Sequence, residues 1–221
     1  MRPTVRALAR YLEAGTPTGL TGLWTHSTPR STLLYLYNST LQRLQSIPET
    51  SLYRQSVEAV TKHRLALVEK TAPPGHEQWA ARAKELLSKN NGRFRVTGGP
   101  SEGSGAQVVK LGDRVFVVGI RREAGDVRVQ EWNGDEDDNA ELDNILTPGE
   151  EHEEIEWQDE PQLTAEQVQE LEGQIGAGLI EEVIQVAEGE LQLVETMIEG
   201  KVWEDLEEKP QPGQWTYFER Q

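Results

Sequence analysis

The chain has 221 residues and a formal net charge of −16 at pH 7, with 36% apolar and 27% charged residues. None of its apolar runs approaches the roughly 18 to 20 residues that a membrane-spanning helix needs. The chain contains no cysteine, which excludes disulfides, iron–sulfur ligation, thiolate zinc sites and thiol nucleophiles.

Residues 1–17 carry a basic pattern. Arg2, Arg6 and Arg10 recur at four-residue spacing, apolar residues occupy another helical face, and the first acidic residue is Glu13. This pattern predicts a mitochondrial targeting segment. The alternative is an ordinary basic N-terminal helix.

Residues 18–70 predict a helical hairpin. Thr28 is a suitable N-cap, Pro29 fits the first position of a helix, and the apolar stripe that follows ends at Ile47. A second amphipathic helix is predicted over residues 51–69. Two such helices with a short connection form an antiparallel pair, and a third helix is needed to cover their apolar face.

Residues 163–200 supply the third helical region. Thr164 and Gln167 match a capping box at its start. Three glycines in residues 173–178 predict a break into two helices, because each costs roughly 1 kcal/mol in a helix interior. Gly200 is predicted to end the second helix.

Residues 71–162 form an insertion between these helical regions. A short helix is predicted over residues 76–88, and a glycine-rich segment follows it. Short valine-rich runs at about residues 106–132 predict a three-stranded antiparallel meander.

The acidic charge is concentrated at the end of the insertion. Residues 131–172 hold 17 Asp and Glu and no Lys or Arg, which leaves 21 acidic and 22 basic residues elsewhere. Residues 133–161 contain few large apolar groups and are predicted to be an extended or disordered acidic linker.

The predicted fold is therefore mainly α. It is a three-helix bundle built from residues 29–69 and 178–199, with a small antiparallel β insertion, the acidic linker and an extended C-terminal tail.

The tail, residues 201–221, combines aromatic rings with two prolines. Burial of its aromatic rings alone stabilises the tail by less than the entropy cost of ordering its backbone. The tail therefore needs a binding surface larger than the small helical bundle. We predict that Trp203, Trp215 and Tyr217 form a partner interface. Trp203 also closes the end of the bundle, and Trp215 and Tyr217 anchor on a neighbouring protein.

No catalytic, cofactor or metal site is predicted. The segment GGPSEGSG lacks the Lys-Ser/Thr pair of a phosphate-binding loop. The calcium-loop pattern that starts at Asp135 has Ala140 where glycine is needed and Leu146 where glutamate is needed. The histidines lack zinc-ligand spacing, no Gly-x-Ser-x-Gly elbow is present, and the basic residues are too few and scattered for nucleic-acid binding.

The two helical regions together resemble one family. Residues 18–70 and about 171–217 are similar to subunit five of the alpha subcomplex of mitochondrial NADH:ubiquinone oxidoreductase, respiratory complex I. The most specific segments are TGL at 18–20, TP at 28–29, IP at 47–48, EEVI at 181–184, WE at 203–204 and Trp215. The insertion, residues 71 to about 170, resembles the enlarged fungal versions of this subunit.

The resemblance implies a non-catalytic accessory subunit of the matrix-facing arm of complex I at the mitochondrial inner membrane. Such a subunit supports assembly and stability, and it holds no flavin, iron–sulfur cluster or quinone. The implied partners are core and accessory subunits, especially the 30-kilodalton-type core subunit, with no nucleic acid and no direct membrane insertion. The acidic run would dock on a basic patch of a neighbour or remain a solvated linker.

Two alternatives come from other functional classes. One is a free-standing mitochondrial helical adaptor. The other is a matrix enzyme whose site lies on the glycine-rich segment and the β insertion.

Overall fold

The computed structural model describes residues 11–89, 92–97, 105–119, 154–204 and 213. The helices in these residues are α1 (Pro29–Leu44), α2 (Leu52–Lys70), α3 (His76–Lys89), α4 (Ala165–Ile175) and α5 (Ile180–Glu199). The strands are β1 (Arg93–Val96), β2 (Gly105–Leu111), β3 (Arg114–Gly119) and β4 (Glu154–Ile155). Within the described residues, no helix combines the length and apolar character needed to cross a membrane.

The helix boundaries follow local chemistry. Pro29 occupies the first turn of α1, and the capping box of Thr164 and Gln167 starts α4. Gly176 ends α4 in the left-handed conformation at φ 68°. The Glu182 carboxylate accepts the Leu179 N–H at 2.8 Å and starts α5. The predicted break in residues 173–178 is thus confirmed.

The turn between α1 and α2 is held by a side chain. Ile47 is 1% exposed, and its carbonyl accepts a hydrogen bond from the Arg54 guanidinium. Arg54 also lies 3.5 Å from Glu58, the acidic residue one turn along α2. This bond fixes the reversal of chain direction that makes α1 and α2 antiparallel.

Helix α1 is the centre of the core and packs against both α2 and α5. Near the start of α1, Leu33 belongs to the same buried cluster as Val183 of α5. Near its end, Leu44 clusters with Val194, and Arg43 pairs with Glu195 at 2.8 Å. Helices α1 and α5 therefore run in the same direction, with α2 antiparallel to both.

The core is broader than the predicted three-helix bundle, which describes it only in part. Val168 and Leu171 of α4 belong to the same buried cluster as α1 and α5. Phe116 of β3 lies edge-on to Tyr35 of α1 with ring centroids 5.7 Å apart. The core therefore includes a fourth helix in addition to the predicted three. The architecture is α plus β, because the sheet also packs against α1.

The sheet is mixed, with strand order β3-β2-β1-β4. The pairs β1–β2 and β2–β3 are antiparallel, whereas β4 lies parallel to β1 with Val96 opposite Ile155. The prediction of a purely antiparallel insertion is therefore wrong. Strand β1 also precedes the predicted 106–132 range, and the last predicted strand, at about residues 126–132, lies outside the described residues.

Burial explains why these two unexpected strands form. Phe94 and Val96 alternate with arginines along β1, and they are 3% and 7% exposed. They share a second buried cluster with Ala106 and Ile155. An alternating pattern with one buried face is what a strand requires.

The end of the acidic run is packed against the protein. Ile155 is buried, and the Trp157 ring lies 6.1 Å from Phe94 and 6.4 Å from Trp79. Glu160 is 8% exposed. Of the two predicted states, extended or disordered, residues 154–161 adopt the extended one, and Ile155 and Trp157 hold them to the sheet and α3. Residues 133–153 lie outside the described residues.

Candidate partner interface

The structure locates one of the three predicted interface residues. Trp203 follows the end of α5, is partly buried, and packs against the cluster of Leu44, Ile47 and Val194. Its position matches the expected closure of the helical end. Trp215 and Tyr217 lie outside the described residues, so their anchoring on a neighbour stays a prediction.

A second aromatic surface precedes α1, and the sequence analysis missed it. Trp24 is 62% exposed and Leu20 is 47% exposed. Both lie in a short loop whose two arms meet at the bridge between Pro17 and Trp24. Exposed tryptophan is typical of protein interfaces. The loop is therefore a candidate contact surface.

Hydrogen bonds fix the shape of this loop. The Thr25 N–H donates to the Thr16 carbonyl at 2.9 Å, and their hydroxyls lie 3.1 Å apart. The Thr18 hydroxyl donates to the Leu23 carbonyl at 2.9 Å. Leu23 itself is buried. Trp24 is thus presented on a pre-organised loop, which lowers the entropy cost of binding. The signal in the sequence was the TGLTGLW segment, whose glycines at positive φ permit the turns.

A buried ion cluster joins the insertion to the helices. The Arg30 guanidinium pairs with Glu160, and its Nε donates to the Thr71 carbonyl at 2.6 Å. His76 Nε2 lies 3.4 Å from the same carboxylate. Both members of the pair are 8% exposed. The cluster joins α1, the end of α2, α3 and the segment after β4 through ionic and hydrogen-bonding contacts. Its role is therefore to hold these elements together.

Further polar contacts hold the same segment. Trp79 Nε1 donates to the Gln158 carbonyl at 2.8 Å, and Arg82 donates to the Gln158 side chain at 2.7 Å. Gln167 of α4 donates to the Ala72 carbonyl at 2.8 Å. Both ends of the insertion are thus attached by hydrogen bonds: residue 72 to α4, and residue 158 to α3.

Two titratable groups of α2 have pKa values that are shifted by their neighbours. Burial, then a hydrogen bond of 2.7 Å to Glu190, raises the pKa of Tyr53. The Lys62 ammonium at 2.5 Å lowers the pKa of the Glu58 carboxyl, with Arg54 assisting. Within the described ranges, no group of three His, Asp or Glu could hold a metal ion. Most of the glycine-rich segment and the calcium-like pattern from Asp135 lie outside those ranges.

Comparison with known proteins decides the family. The family model described as "ETC complex I subunit conserved region" matches residues 22–93. The NADH-ubiquinone oxidoreductase 29.9 kDa subunit, mitochondrial, of Neurospora crassa is 44% identical, and the alignment covers 98% of this chain and 94% of that protein. This chain belongs to the complex I alpha subcomplex subunit 5 family.

Other members of the family show how similarity is distributed. The alpha subcomplex subunit MCI4 of Candida albicans is 28% identical over 92% of this chain and 80% of its own length. The alpha subcomplex subunit 5 of Bos taurus is 48% identical over 50 residues, which is 23% of this chain and 43% of that protein. The resemblance seen in the sequence is confirmed. The family model covers the end of the Trp24 loop, from residue 22, together with α1, α2 and α3.

Proposed function

We propose that this chain is a non-catalytic accessory subunit of the matrix arm of mitochondrial complex I, and that it supports the assembly and stability of that arm. The observation that carries the proposal is the 44% identity over nearly the whole chain to a protein named as a mitochondrial subunit of NADH-ubiquinone oxidoreductase. The chain would act through contacts, with electron transfer left to other subunits.

The chemistry of the described residues supports a non-catalytic role. The buried Arg30–Glu160 pair is engaged within the chain, since Arg30 Nη1 bonds Glu160 and its Nε donates to the Val68 and Thr71 carbonyls. A catalytic acid or base needs a partner-free face toward a substrate pocket. The buried charges therefore serve to connect the insertion to the helices.

The proposed location is the matrix side of the inner membrane. The basic spacing of Arg2, Arg6 and Arg10 supports import into mitochondria. The described helices cannot cross a membrane, so attachment would come from neighbouring subunits. The proposed partners are core and accessory subunits of the peripheral arm, especially the 30-kilodalton-type core subunit.

Two surfaces would supply the contacts. The Trp24 loop presents exposed indole and leucine side chains on a hydrogen-bonded frame. The C-terminal tail would supply Trp215 and Tyr217, beyond Trp203 at the helical end. Tryptophan and tyrosine are the residues that most often dominate binding energy at interfaces. We include the acidic residues 133–153 as a further docking element for a basic neighbouring patch.

The test is removal and replacement of the chain in the source organism. Loss of the chain should reduce assembled complex I and its NADH-to-ubiquinone activity together, and re-expression should restore both. A shortened chain without residues 98–153 should retain partial rescue, because the helices and the Trp24 loop remain. Normal amounts of fully active complex I in the absence of the chain would contradict the assembly role.

The same experiment separates the alternative functions. A matrix enzyme would leave complex I intact and would lose its own turnover when the β insertion is removed. A free-standing adaptor would also leave complex I unaffected.

A further inference from the structure

Residues 11–17 belong to the segment that the sequence assigns to targeting, yet they take part in the fold. The backbone of Tyr11 pairs with Thr164, the residue that caps α4. Leu12 is partly buried and packs against the buried cluster that joins α1, α4 and α5. A targeting segment that is removed after import contributes nothing to the mature core. These contacts therefore set residues 11–17 apart from a removable segment.

The same residues form one arm of the Trp24 loop. The Gly15 N–H donates to the Thr25 carbonyl at 2.9 Å, and the Thr25 hydroxyl donates to the Thr16 carbonyl at 3.0 Å. Thr25 is 4% exposed, so its polar groups depend on partners within the chain. Pro17 completes the arm through its bridge to Trp24. Removal of this arm would leave the buried threonine without these partners and the loop without half of its frame.

The composition of the sequence changes at the same point. The three basic residues of residues 1–17 are Arg2, Arg6 and Arg10, whereas the segment YLEAGTP at 11–17 has no Lys or Arg and contains one acid. Mitochondrial targeting segments are rich in arginine and poor in acidic residues. The targeting pattern thus ends at Arg10, and the described contacts begin at Tyr11. Residues 1–10 lie outside the described residues, so their part in the argument rests on the sequence.

We propose that the boundary between the targeting segment and the mature subunit lies at the Arg10–Tyr11 bond. Residues 11–17 are retained in the mature chain, and any processing in the matrix cuts at or before this bond. Such a cut hydrolyses one peptide bond, with water supplying a hydroxyl to the new carboxyl group and a proton to the new α-amine. The inference rests on the proposed function, because only an imported chain meets a matrix peptidase.

Two leucines provide a matched test of the boundary. Leu8 and Leu12 are four positions apart on one face of the predicted targeting helix, so the sequence pattern makes them equivalent. In the full recombinant chain, Leu12→Ser should lower the urea midpoint of unfolding by about 0.5 M, because it removes an apolar contact with the core. Leu8→Ser should leave the midpoint unchanged. Equal midpoints for the two variants, whether lowered or not, overturn the proposal.

Two shortened chains test the boundary inside complex I. One begins at Tyr11 and the other at Thr18, and each is imported behind the same unrelated targeting sequence in place of the natural chain. The chain that begins at Tyr11 should be retained in complex I as well as the natural chain. The chain that begins at Thr18 should be retained several-fold less, because the Trp24 loop and the α4 cap lose their contacts with residues 11–17. Equal retention of both shortened chains overturns the proposal.

The mature N-terminus gives the direct measurement. The natural chain with a C-terminal epitope tag is purified from whole mitochondria, and its intact mass identifies the first residue. The proposal expects a first residue at or before Tyr11. A first residue after Tyr11 overturns it.

Purification from whole mitochondria separates this inference from the proposed function. If the tagged chain is present in complex I but begins after Tyr11, the boundary fails while the proposed function stands. If the chain begins at or before Tyr11 but is absent from complex I, the proposed function fails while the boundary stands. A chain that is absent from mitochondria overturns both.

Discussion

The Arg30–Glu160 pair is the residue-scale feature on which the insertion depends most. Glu160→Gln keeps the size of the side chain but leaves the buried Arg30 guanidinium without a carboxylate. Removing one partner of a buried ion pair destabilises by about 3 to 5 kcal/mol. We expect Glu160→Gln to lower the free energy of unfolding by about 3 kcal/mol, measured by urea denaturation of the purified chain.

The neighbouring acidic residue is the matched control for that change. Asp159 is exposed, and Asp159→Asn removes the same kind of charge from the surface. Its effect should stay within about 0.5 kcal/mol. Equal effects of the two substitutions would show that net charge, and not the buried pair, controls stability.

The hydrogen bond between Tyr53 and Glu190 predicts a dependence on alkaline pH. Burial and this bond raise the pKa of Tyr53, so the folded state retains its proton where the unfolded state loses it, above about pH 10. The stabilisation is therefore present below that pH and is lost as the pH rises through the folded value. Unfolding curves from pH 9 to 11 should show a steeper loss of stability for the natural chain than for Tyr53→Phe, and parallel losses would contradict this.

At the scale of elements, the break between α4 and α5 offers a paired test. Gly176 adopts φ 68°, a left-handed conformation that costs an alanine about 1 to 2 kcal/mol. Gly173 lies inside α4, and a methyl group there would meet nothing within 4 Å. Thermal unfolding should show Gly176→Ala less stable and Gly173→Ala more stable, the latter by about 0.5 to 1 kcal/mol. A shift in the same direction for both variants would place the break elsewhere.

Two tryptophans of the C-terminal tail are predicted to have different roles, one in packing within the chain and one in contact with a neighbouring subunit. Trp203→Ala should lower the stability of the isolated chain by about 1 to 3 kcal/mol, because the ring packs on the end of α1 and α5. Trp215→Ala should leave the helicity of the isolated chain unchanged and weaken its retention in complex I. Circular dichroism of both variants would test this, and an equal loss of helicity would place Trp215 in the core.

The helices were predictable because their signals are local. The proline at the start of α1, the capping box of α4 and the glycines after it each satisfy a short-range requirement. Strands β1 and β4 were missed because their stability comes from distant pairing. β4 has only two residues, and Ile155 of β4 lies 59 positions after its partner Val96 of β1. Such pairing has no local pattern.

The same distinction applies to the candidate interface. Aromatic residues in the tail were conspicuous in the sequence, whereas the exposure of Trp24 depends on how residues 15–25 fold. The burial of Glu160 was also hidden, because an acidic residue within an acid-rich run is ordinarily solvated. Its buried position requires Arg30, which lies 130 positions earlier.

At the scale of the whole molecule, one helical core carries a large insertion that is attached by buried contacts. The family model covers the start of this core, and near-complete alignment to the Neurospora crassa subunit includes the insertion. The chain thus combines a helical unit with a sheet that packs against it through Phe116 and Tyr35. We infer that both parts are available to neighbours in complex I.

Native electrophoresis of mitochondria with an epitope tag on this chain tests the central claim most directly. The account predicts that the tag migrates with assembled complex I, in the band that stains for NADH dehydrogenase activity. Migration only as the free chain, or in an assembly without that activity, would contradict it.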